Sequence, residues 1–126
     1  MNAIEIVTRN AEFKAELDSS DISNEIWLSL PFTGRTNMLG DEIYFEMPLD
    51  SNIPKEGRVT VLEKGDIAYW PDAKAFCIFF GPTPLSKEDG KPVSRYPVIK
   101  IGKLLGDFSE METAGDRQKI VIKKSF

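Results

Sequence analysis

The sequence has 126 residues, a formal net charge of −4 and 41% hydrophobic residues, a size and composition typical of one soluble globular domain. The negative balance predicts that no nucleic acid is a partner, because proteins that bind phosphate backbones usually carry a basic face. The chain has no histidine and one cysteine. These counts exclude Ser-His-Asp and Cys-His catalysis, His-ligated metal sites and an intramolecular disulfide.

Signals for targeting and for cofactors are missing from the sequence. The N-terminus lacks a basic start followed by an apolar run, and no stretch approaches the ~20 apolar residues of a membrane span. With Cys77 as the lone thiol, we expect a cytoplasmic protein without a membrane partner. No calcium-loop spacing and no glycine-rich phosphate-binding motif occurs, so neither a metal nor a cofactor is predicted.

The first half of the chain predicts a hairpin, a helix and a second hairpin. Residues 4–7 and 13–17 alternate between apolar and polar side chains around a polar break, which is typical of an opening β-hairpin. A helix over about 19–30 follows, because apolar residues recur at helical spacing until a proline ends the run. The Leu39-Gly40 pair then predicts a tight turn between two alternating strands.

The register of the second hairpin decides which side chains share a face. If its turn is two residues long, Asn37 faces Glu42 and Arg35 faces Tyr44 on the polar side of the strands. The opposite side is expected to be core and carries Ile43, Phe45 and Met47. The polar side is either a plain solvated surface with Arg–Glu pairs, each worth under ~1 kcal/mol, or a patch whose chemical variety suits a polar ligand.

The second half predicts further short strands and one possible helix. Strands are expected at residues 59–62, 66–70, 75–80, 98–101 and 120–122, and a short helix at about 106–113. The strand at 75–80 has almost no polar side, which indicates that both of its faces are covered. Residues 82–97 hold four prolines and form a long irregular segment of the kind that often carries function. The final basic run, KIVIKK, alternates like a solvated edge strand.

Tyr69, Trp70 and Cys77 are the other candidates for a site. Tyr69 and Trp70 are neighbours on one strand, so one faces the core and the other the surface. Tyr69 is interpreted as a packing residue, whereas Trp70 suits the floor of a groove and a plug at the end of a barrel equally well. Cys77 lies in an apolar run without a neighbouring cation, which predicts a buried structural cysteine.

Many short strands and few helices favour a small β-barrel. The family is suggested by three segments, TGRTNMLGDEIYFEMP, EKGDIAYWPDAKAFCIFFGPTP and VIKIGKL. They are similar to the motifs of a prokaryotic family of small cyclophilin-like proteins, catalogued as a domain of unknown function, and the resemblance covers roughly residues 4–123. It implies a single cyclophilin-like domain over residues 1–126, mainly β, built as a closed barrel with helices over its ends, and no established activity.

The more distant resemblance to true cyclophilins suggests a role for Arg35. Their proline-binding groove lies on the outer face of the sheet, where an arginine donates hydrogen bonds near the prolyl amide and lowers the ~18–20 kcal/mol barrier to rotation. Arg35 is the candidate here. However, Glu42 and Glu46 are expected to occupy its guanidinium, and the usual groove histidine is missing.

Three functions therefore remain open. The first is a non-catalytic module that binds a small polar ligand or a peptide segment on the outer barrel face, through Arg35, Asn37, Glu42, Tyr44 and Trp70. The second is a weak peptidyl-prolyl cis-trans isomerase that uses Arg35. The third is a subunit of a larger enzyme assembly with a protein partner, because related cyclophilin-like domains also occur inside amide-hydrolysing complexes.

Overall fold

The computed structural model describes residues 2–126, which form ten strands, one α-helix and one 3-10 helix. The strands are β1 Asn2–Val7, β2 Glu12–Leu17, β3 Phe32–Arg35, β4 Asn37–Leu39, β5 Glu42–Glu46, β6 Arg58–Val61, β7 Asp66–Trp70, β8 Ala75–Phe79, β9 Val93–Leu105 and β10 Lys119–Lys124. The helix α1 spans Asp21–Leu28 and the 3-10 helix spans Ser109–Ala114. The mainly β class is confirmed, and so is the opening hairpin, which β1 and β2 form.

The strands pair in a single sheet in the order β3, β10, β1, β2, β9, β7, β8, β5, β4, and β6 pairs with β9 beside this path. Every pair is antiparallel. Within residues 2–126, no hydrogen-bonded ladder joins β3 to β4, the two ends of the order. The closed barrel that the resemblance implied is therefore not found.

The sheet stays open because its two ends are consecutive pieces of one bent chain. Thr36 alone separates β3 from β4. Its buried hydroxyl donates to the Gly115 carbonyl at 2.5 Å and accepts from the Gln118 amide at 3.0 Å. As a result β3 pairs with β10 while β4 pairs with β5. Side-chain packing bridges the gap, since Phe32 stacks on Phe45 with ring centroids 6.0 Å apart.

Both predicted helical segments are present, in altered form. Ser20 caps α1, since its side chain accepts from the Ser23 amide at 3.3 Å, and the helix is shorter at both ends than the predicted 19–30. The helix predicted at about 106–113 is the 3-10 helix. No helix in the part of the chain that the structure describes has the length and apolar character to cross a membrane.

Apolar side chains pack on both faces of the sheet. The inner cluster contains Ile43, Phe45 and Met47, as the alternation of β5 predicts, together with Tyr69. A smaller outer cluster consists of Leu62, Ala68, Ala75, Cys77, Phe79 and Val98. All residues of β8 are buried, which confirms the prediction that both faces of this strand are covered.

The long strand β9 runs further than the predicted strand at 98–101. Its residues 99–105 pair with β2 and β7, and residues 93–99 run along β6. The β6 ladder is interrupted, because Val59 faces Val98 while Val61 faces Val93. Residues 94–97 therefore lie outside that ladder, as expected of a segment whose proline has no N–H to donate.

The basic run of β10 does not lie at an edge of the sheet. β10 pairs with β1 on one side and β3 on the other. Its buried residues Ile120 and Ile122 belong to the inner cluster. Lys123 is nevertheless exposed and reaches a carboxylate oxygen of Glu5 at 3.6 Å. The predicted edge position is wrong, because alternation shows which side chains are solvated and not which neighbours a strand has.

Candidate functional site

A pocket of about 200 Å³ opens on the outer face of the sheet. Its walls come from β4, β5, β7 and β9 and are formed by Leu39, Glu42, Tyr44, Trp70, Ser94, Arg95 and Tyr96. We call it the Trp70 pocket. Three aromatic rings, one carboxyl group and one guanidinium share this concavity, a composition that suits a small organic ligand. No group of metal-binding side chains is found among residues 2–126.

The alternation of β5 places two of the polar side chains in the pocket. Ile43 and Phe45 belong to the inner cluster, so Glu42 and Tyr44 point to the outer face, where Tyr44 packs against the outer cluster. Leu39 of β4 lies directly opposite Glu42 in the register. The hairpin of β4 and β5 thus forms one wall of the pocket.

Trp70 is the central aromatic side chain of the pocket. It faces outward because its neighbour Tyr69 is buried on the inner face, where the Tyr69 hydroxyl donates to the Met47 carbonyl at 2.9 Å. The Trp70 ring meets Tyr44 edge-on with centroids 5.7 Å apart and stacks on Tyr96 at 5.2 Å. Tyr69 is therefore the packing residue that was predicted, and the two aromatic contacts fix the orientation of the Trp70 ring.

The segment of β9 that leaves the β6 ladder supplies the opposite wall. The Ser94 hydroxyl donates to the Tyr96 carbonyl at 2.6 Å, which closes a tight local loop. Tyr96 lays its half-exposed ring on Trp70. The exposed guanidinium of Arg95 lies over that tyrosine, with 5.8 Å between its carbon and the ring centroid. The basic group of the pocket, Arg95, therefore lies exposed at its rim.

Glu42 is a largely buried residue whose carboxyl group lines the pocket without a partner. The residue is only 5% exposed, and within residues 2–126 its carboxyl group makes no hydrogen bond or ion pair. Burial raises its pKa to about 7, because the ionised form is poorly solvated there. Burial also raises the pKa of the Cys77 thiol, and the nearby Glu42 charge adds to this. Cys77 is thus buried, as predicted.

Trp70 carries the second unpaired group of the pocket. Its indole nitrogen Nε1 is the one buried side-chain nitrogen or oxygen without a hydrogen-bond partner in the described part of the chain. A buried donor left unpaired costs roughly 1–3 kcal/mol. Glu42 and Trp70 both line the same pocket. The indole nitrogen has almost no accessible surface, so Glu42 is the unpaired group that a bound molecule can reach.

The sequence model of a family described as cyclophilin-like matches residues 2–123. The chain belongs to this cyclophilin-like family. The solution structure of a hypothetical protein from Archaeoglobus fulgidus agrees, with a TM-score of 0.80 at 31% sequence identity over 98% of this chain and 95% of that chain. No curated protein is significantly similar to the sequence. The resemblance drawn from the motifs is confirmed, and family membership supplies a fold without an activity.

Three of the five predicted site residues of this cyclophilin-like protein meet in the pocket. They are Glu42, Tyr44 and Trp70. Asn37 lies on the neighbouring strand, but its side chain is engaged elsewhere. Its amide group donates to the Tyr44 carbonyl at 3.2 Å, and its oxygen accepts from Arg117 at 2.8 Å. Asn37 therefore supports the strand that carries Tyr44 and does not line the pocket.

Arg35 lies outside the pocket. Asn37 faces Tyr44 in the observed register, so the predicted pairing of Arg35 with Tyr44 is wrong. The chain bends at Thr36, and Arg35 belongs to β3, where it lies opposite Lys119 of β10. Its side chain is exposed and forms no ion pair within residues 2–126. The outer patch predicted from sequence is thus divided between two ends of the sheet.

Sequence reasoning did not single out Ser94, Arg95 and Tyr96. They lie in the segment 82–97, which was predicted to be irregular and of the kind that often carries function. The structure places residues 93–97 in β9, so the prediction of an irregular segment is wrong for that part. The available signal was an aromatic residue beside an arginine and just before a proline, in a stretch that is otherwise polar. That signal alone does not show which other strands the segment lies beside.

Proposed function

We propose that the protein is a non-catalytic module that binds a small ligand in the Trp70 pocket. The observation that carries the proposal is Glu42, which is 5% exposed at the pocket wall and has no partner among residues 2–126. An unpaired buried polar group costs roughly 1–3 kcal/mol, and more when it is charged. A ligand that donates a hydrogen bond to Glu42 supplies the partner that the fold does not.

The size and lining of the pocket support a small ligand or one side chain of a peptide. Its volume of about 200 Å³ is below the ~300–1,000 Å³ of pockets for drug-sized molecules. The rings of Tyr44, Trp70 and Tyr96 offer apolar contact, whereas the carboxyl group of Glu42 gives that contact a direction. Few polar groups in an apolar concavity are typical of specific binding.

The chemistry of the lining supports binding without reaction. The Ser94 hydroxyl is committed to the Tyr96 carbonyl at 2.6 Å. The Cys77 thiol is fully buried, and its pKa is raised. A nucleophile needs an adjacent base or a lowered pKa. The Ser94 hydroxyl donates to a carbonyl instead, and Cys77, which is not a lining residue, has a raised pKa.

The indole signals of the protein provide the test. The chain contains two tryptophans, Trp27 and Trp70, so a spectrum of the ¹⁵N-labelled protein separates the pocket from an internal control. Trp27 contacts Phe126, with ring centroids 6.5 Å apart, and lies under Lys124, so it is not a lining residue. A library of small amines, amides, alcohols and carboxylic acids is titrated at millimolar concentration.

We expect at least one compound of the library to move the Trp70 signal and to leave the Trp27 signal in place. Replacing Trp70 with phenylalanine removes part of the aromatic wall, so binding of that compound, followed in this variant through the backbone amide signals, should weaken. Replacing Trp27 with phenylalanine should not change it. If no compound moves the Trp70 signal, or if both signals move together, the pocket is an ordinary surface feature and the proposal fails.

A second candidate function is proline isomerisation by Arg35. It is favoured by the exposure of Arg35 without an ion pair among residues 2–126, since the predicted pairing with Glu42 and Glu46 was the main argument against it. A proline-peptide exchange assay compares the wild type, Arg35→Ala and the control Lys119→Ala on the neighbouring strand. An isomerase shows a rate above background that only Arg35→Ala abolishes. A wild-type rate at background removes this candidate.

A further inference from the structure

We infer that the ligand of the Trp70 pocket is an organic cation, a protonated amine whose ammonium group pairs with the Glu42 carboxylate. This inference rests on the proposed function, because it names the class of ligand for the same site. It follows from the charges, the burial and the aromatic lining of the pocket.

The acidic group of the pocket lies inside it and the basic group lies at its rim. Glu42 is the acidic lining residue and is buried, whereas Arg95, the basic lining residue, is exposed at the rim. A buried carboxylate needs a partner of opposite charge that also donates hydrogen bonds, and an ammonium group has three donors and no acceptor. An anionic ligand meets like charge at Glu42. A purely apolar ligand leaves the Glu42 carboxyl group unpaired.

The aromatic lining favours the same class of ligand. Tyr44, Trp70 and Tyr96 stand together beside Glu42, and the face of an aromatic ring attracts a cation within ~6 Å of its centroid. One cation of the chain already makes this contact, since the Arg95 guanidinium lies 5.8 Å from the Tyr96 centroid. The attraction is stronger where the groups are shielded from water, and Glu42 is only 5% exposed.

Arg95 provides a test of the sign of the interaction. Its positive charge at the rim opposes the entry of a cation and favours that of an anion. Neutralising Arg95 should therefore tighten the binding of a cation, although the variant removes part of the pocket wall. Simple damage to the pocket predicts the opposite change.

The experiment uses three probes of similar shape and different charge, namely benzylammonium, benzyl alcohol and benzoate. Each is titrated into the full chain at about pH 8, where Glu42 is mostly ionised, and the Trp70 indole signal is followed with Trp27 as internal control. We expect benzylammonium to bind at least ~10-fold more tightly than benzyl alcohol, and benzoate to bind least.

Three variants assign the effect to the residues. Glu42→Gln should weaken benzylammonium at least ~10-fold and change benzyl alcohol by less than ~2-fold. Glu46→Gln is the matched control, because it removes the same charge from an exposed position on the same strand, and it should leave both affinities within ~2-fold. Arg95→Gln should tighten benzylammonium by about 2-fold.

The outcomes separate this inference from the proposed function. If benzyl alcohol or benzoate binds as tightly as benzylammonium, or if Glu42→Gln keeps wild-type affinity for benzylammonium, the cation inference is wrong and the pocket is still a binding site. If none of the three probes moves the Trp70 signal while another library compound does, the inference fails and the proposed function stands. If no library compound moves that signal, the proposed function itself fails.

Discussion

Replacing Glu42 with glutamine is expected to stabilise the protein, by an amount that grows with pH. The pKa of Glu42 is about 7 in the folded protein against an ordinary value of 4.5. This difference of about 2.5 corresponds to roughly 3 kcal/mol of unfolding free energy, at ~1.4 kcal/mol per pKa unit. Glutamine has nearly the same shape and no charge, so the variant escapes the cost of a buried, unpaired carboxylate.

The direction of the pH dependence follows from proton binding. Between about pH 4.5 and about pH 7 the folded protein holds a proton on Glu42 that the unfolded chain has lost, so the unfolding free energy of the wild type falls as pH rises. Above about pH 7 the wild type bears the full cost of the ionised Glu42 carboxylate, and this group no longer changes the unfolding free energy with pH. From about pH 5 to about pH 8 the advantage of Glu42→Gln should therefore increase by roughly 2.5 kcal/mol. The wild type and the variant share the other titratable groups, so the contributions of these groups to the unfolding free energy cancel in the comparison. The chain also has no histidine to titrate in this range.

Urea unfolding followed by circular dichroism at both pH values measures this difference. With a urea slope of about 1–3 kcal/mol per molar, the midpoint advantage of Glu42→Gln should grow by roughly 0.8–2.5 M between the two pH values. Glu46→Gln, which removes an exposed charge from the same strand, should stay within about 0.5 kcal/mol of the wild type at both. An advantage of Glu42→Gln that is the same at both pH values would refute the reasoning, because it would show that burial does not raise the pKa of Glu42.

Other predictions test the packing around the site. Tyr69→Phe removes the hydrogen bond to the Met47 carbonyl and should lower the unfolding free energy by about 1–2 kcal/mol, measured by urea unfolding. Gly102→Ala should be destabilising by more than ~3 kcal/mol or prevent folding, because the new Cβ would lie 2.2 Å from the Glu16 carbonyl oxygen; a stable, soluble variant would contradict this. Cys77 should resist a thiol reagent in the folded protein and react at the rate of global unfolding, because it is fully buried; fast labelling under native conditions would show that the outer cluster opens locally.

The alternation of β5 was enough to predict which of its side chains face the core. Ile43 and Phe45 are fully buried, and Tyr44 reaches the outer face, because successive residues of a strand point to opposite sides. The register was not predictable in the same way. The turn is held by distant partners, since the Asp41 amide donates to the Pro82 carbonyl and the Phe80 amide donates to the Asp41 carbonyl. Contacts of that range leave no local sequence signal.

The division of the predicted patch has a similar cause. Arg35 and Asn37 are two residues apart and were expected to share one face of one strand. The chain bends between them, because Thr36 bonds to Gly115 and Gln118, which lie about eighty residues further on. Alternation within a strand is a local property, whereas the end of a strand depends on which neighbours pair with it. The sequence therefore predicts the residue types of a site more firmly than it predicts which of those residues come together.

The position of the pocket follows from the way in which the outer cluster is covered. Val59 of β6 and Val98 of β9 pack with that cluster, but the cover is incomplete where residues 94–97 leave the ladder. Apolar side chains at this gap would stabilise the fold. The chain instead places the carboxyl group of Glu42 there, at a cost of roughly 3 kcal/mol near neutral pH, out of the ~5–15 kcal/mol that typically hold a domain together. Departures from the rules of stable packing are expected at functional sites, which supports the proposal that Glu42 serves binding.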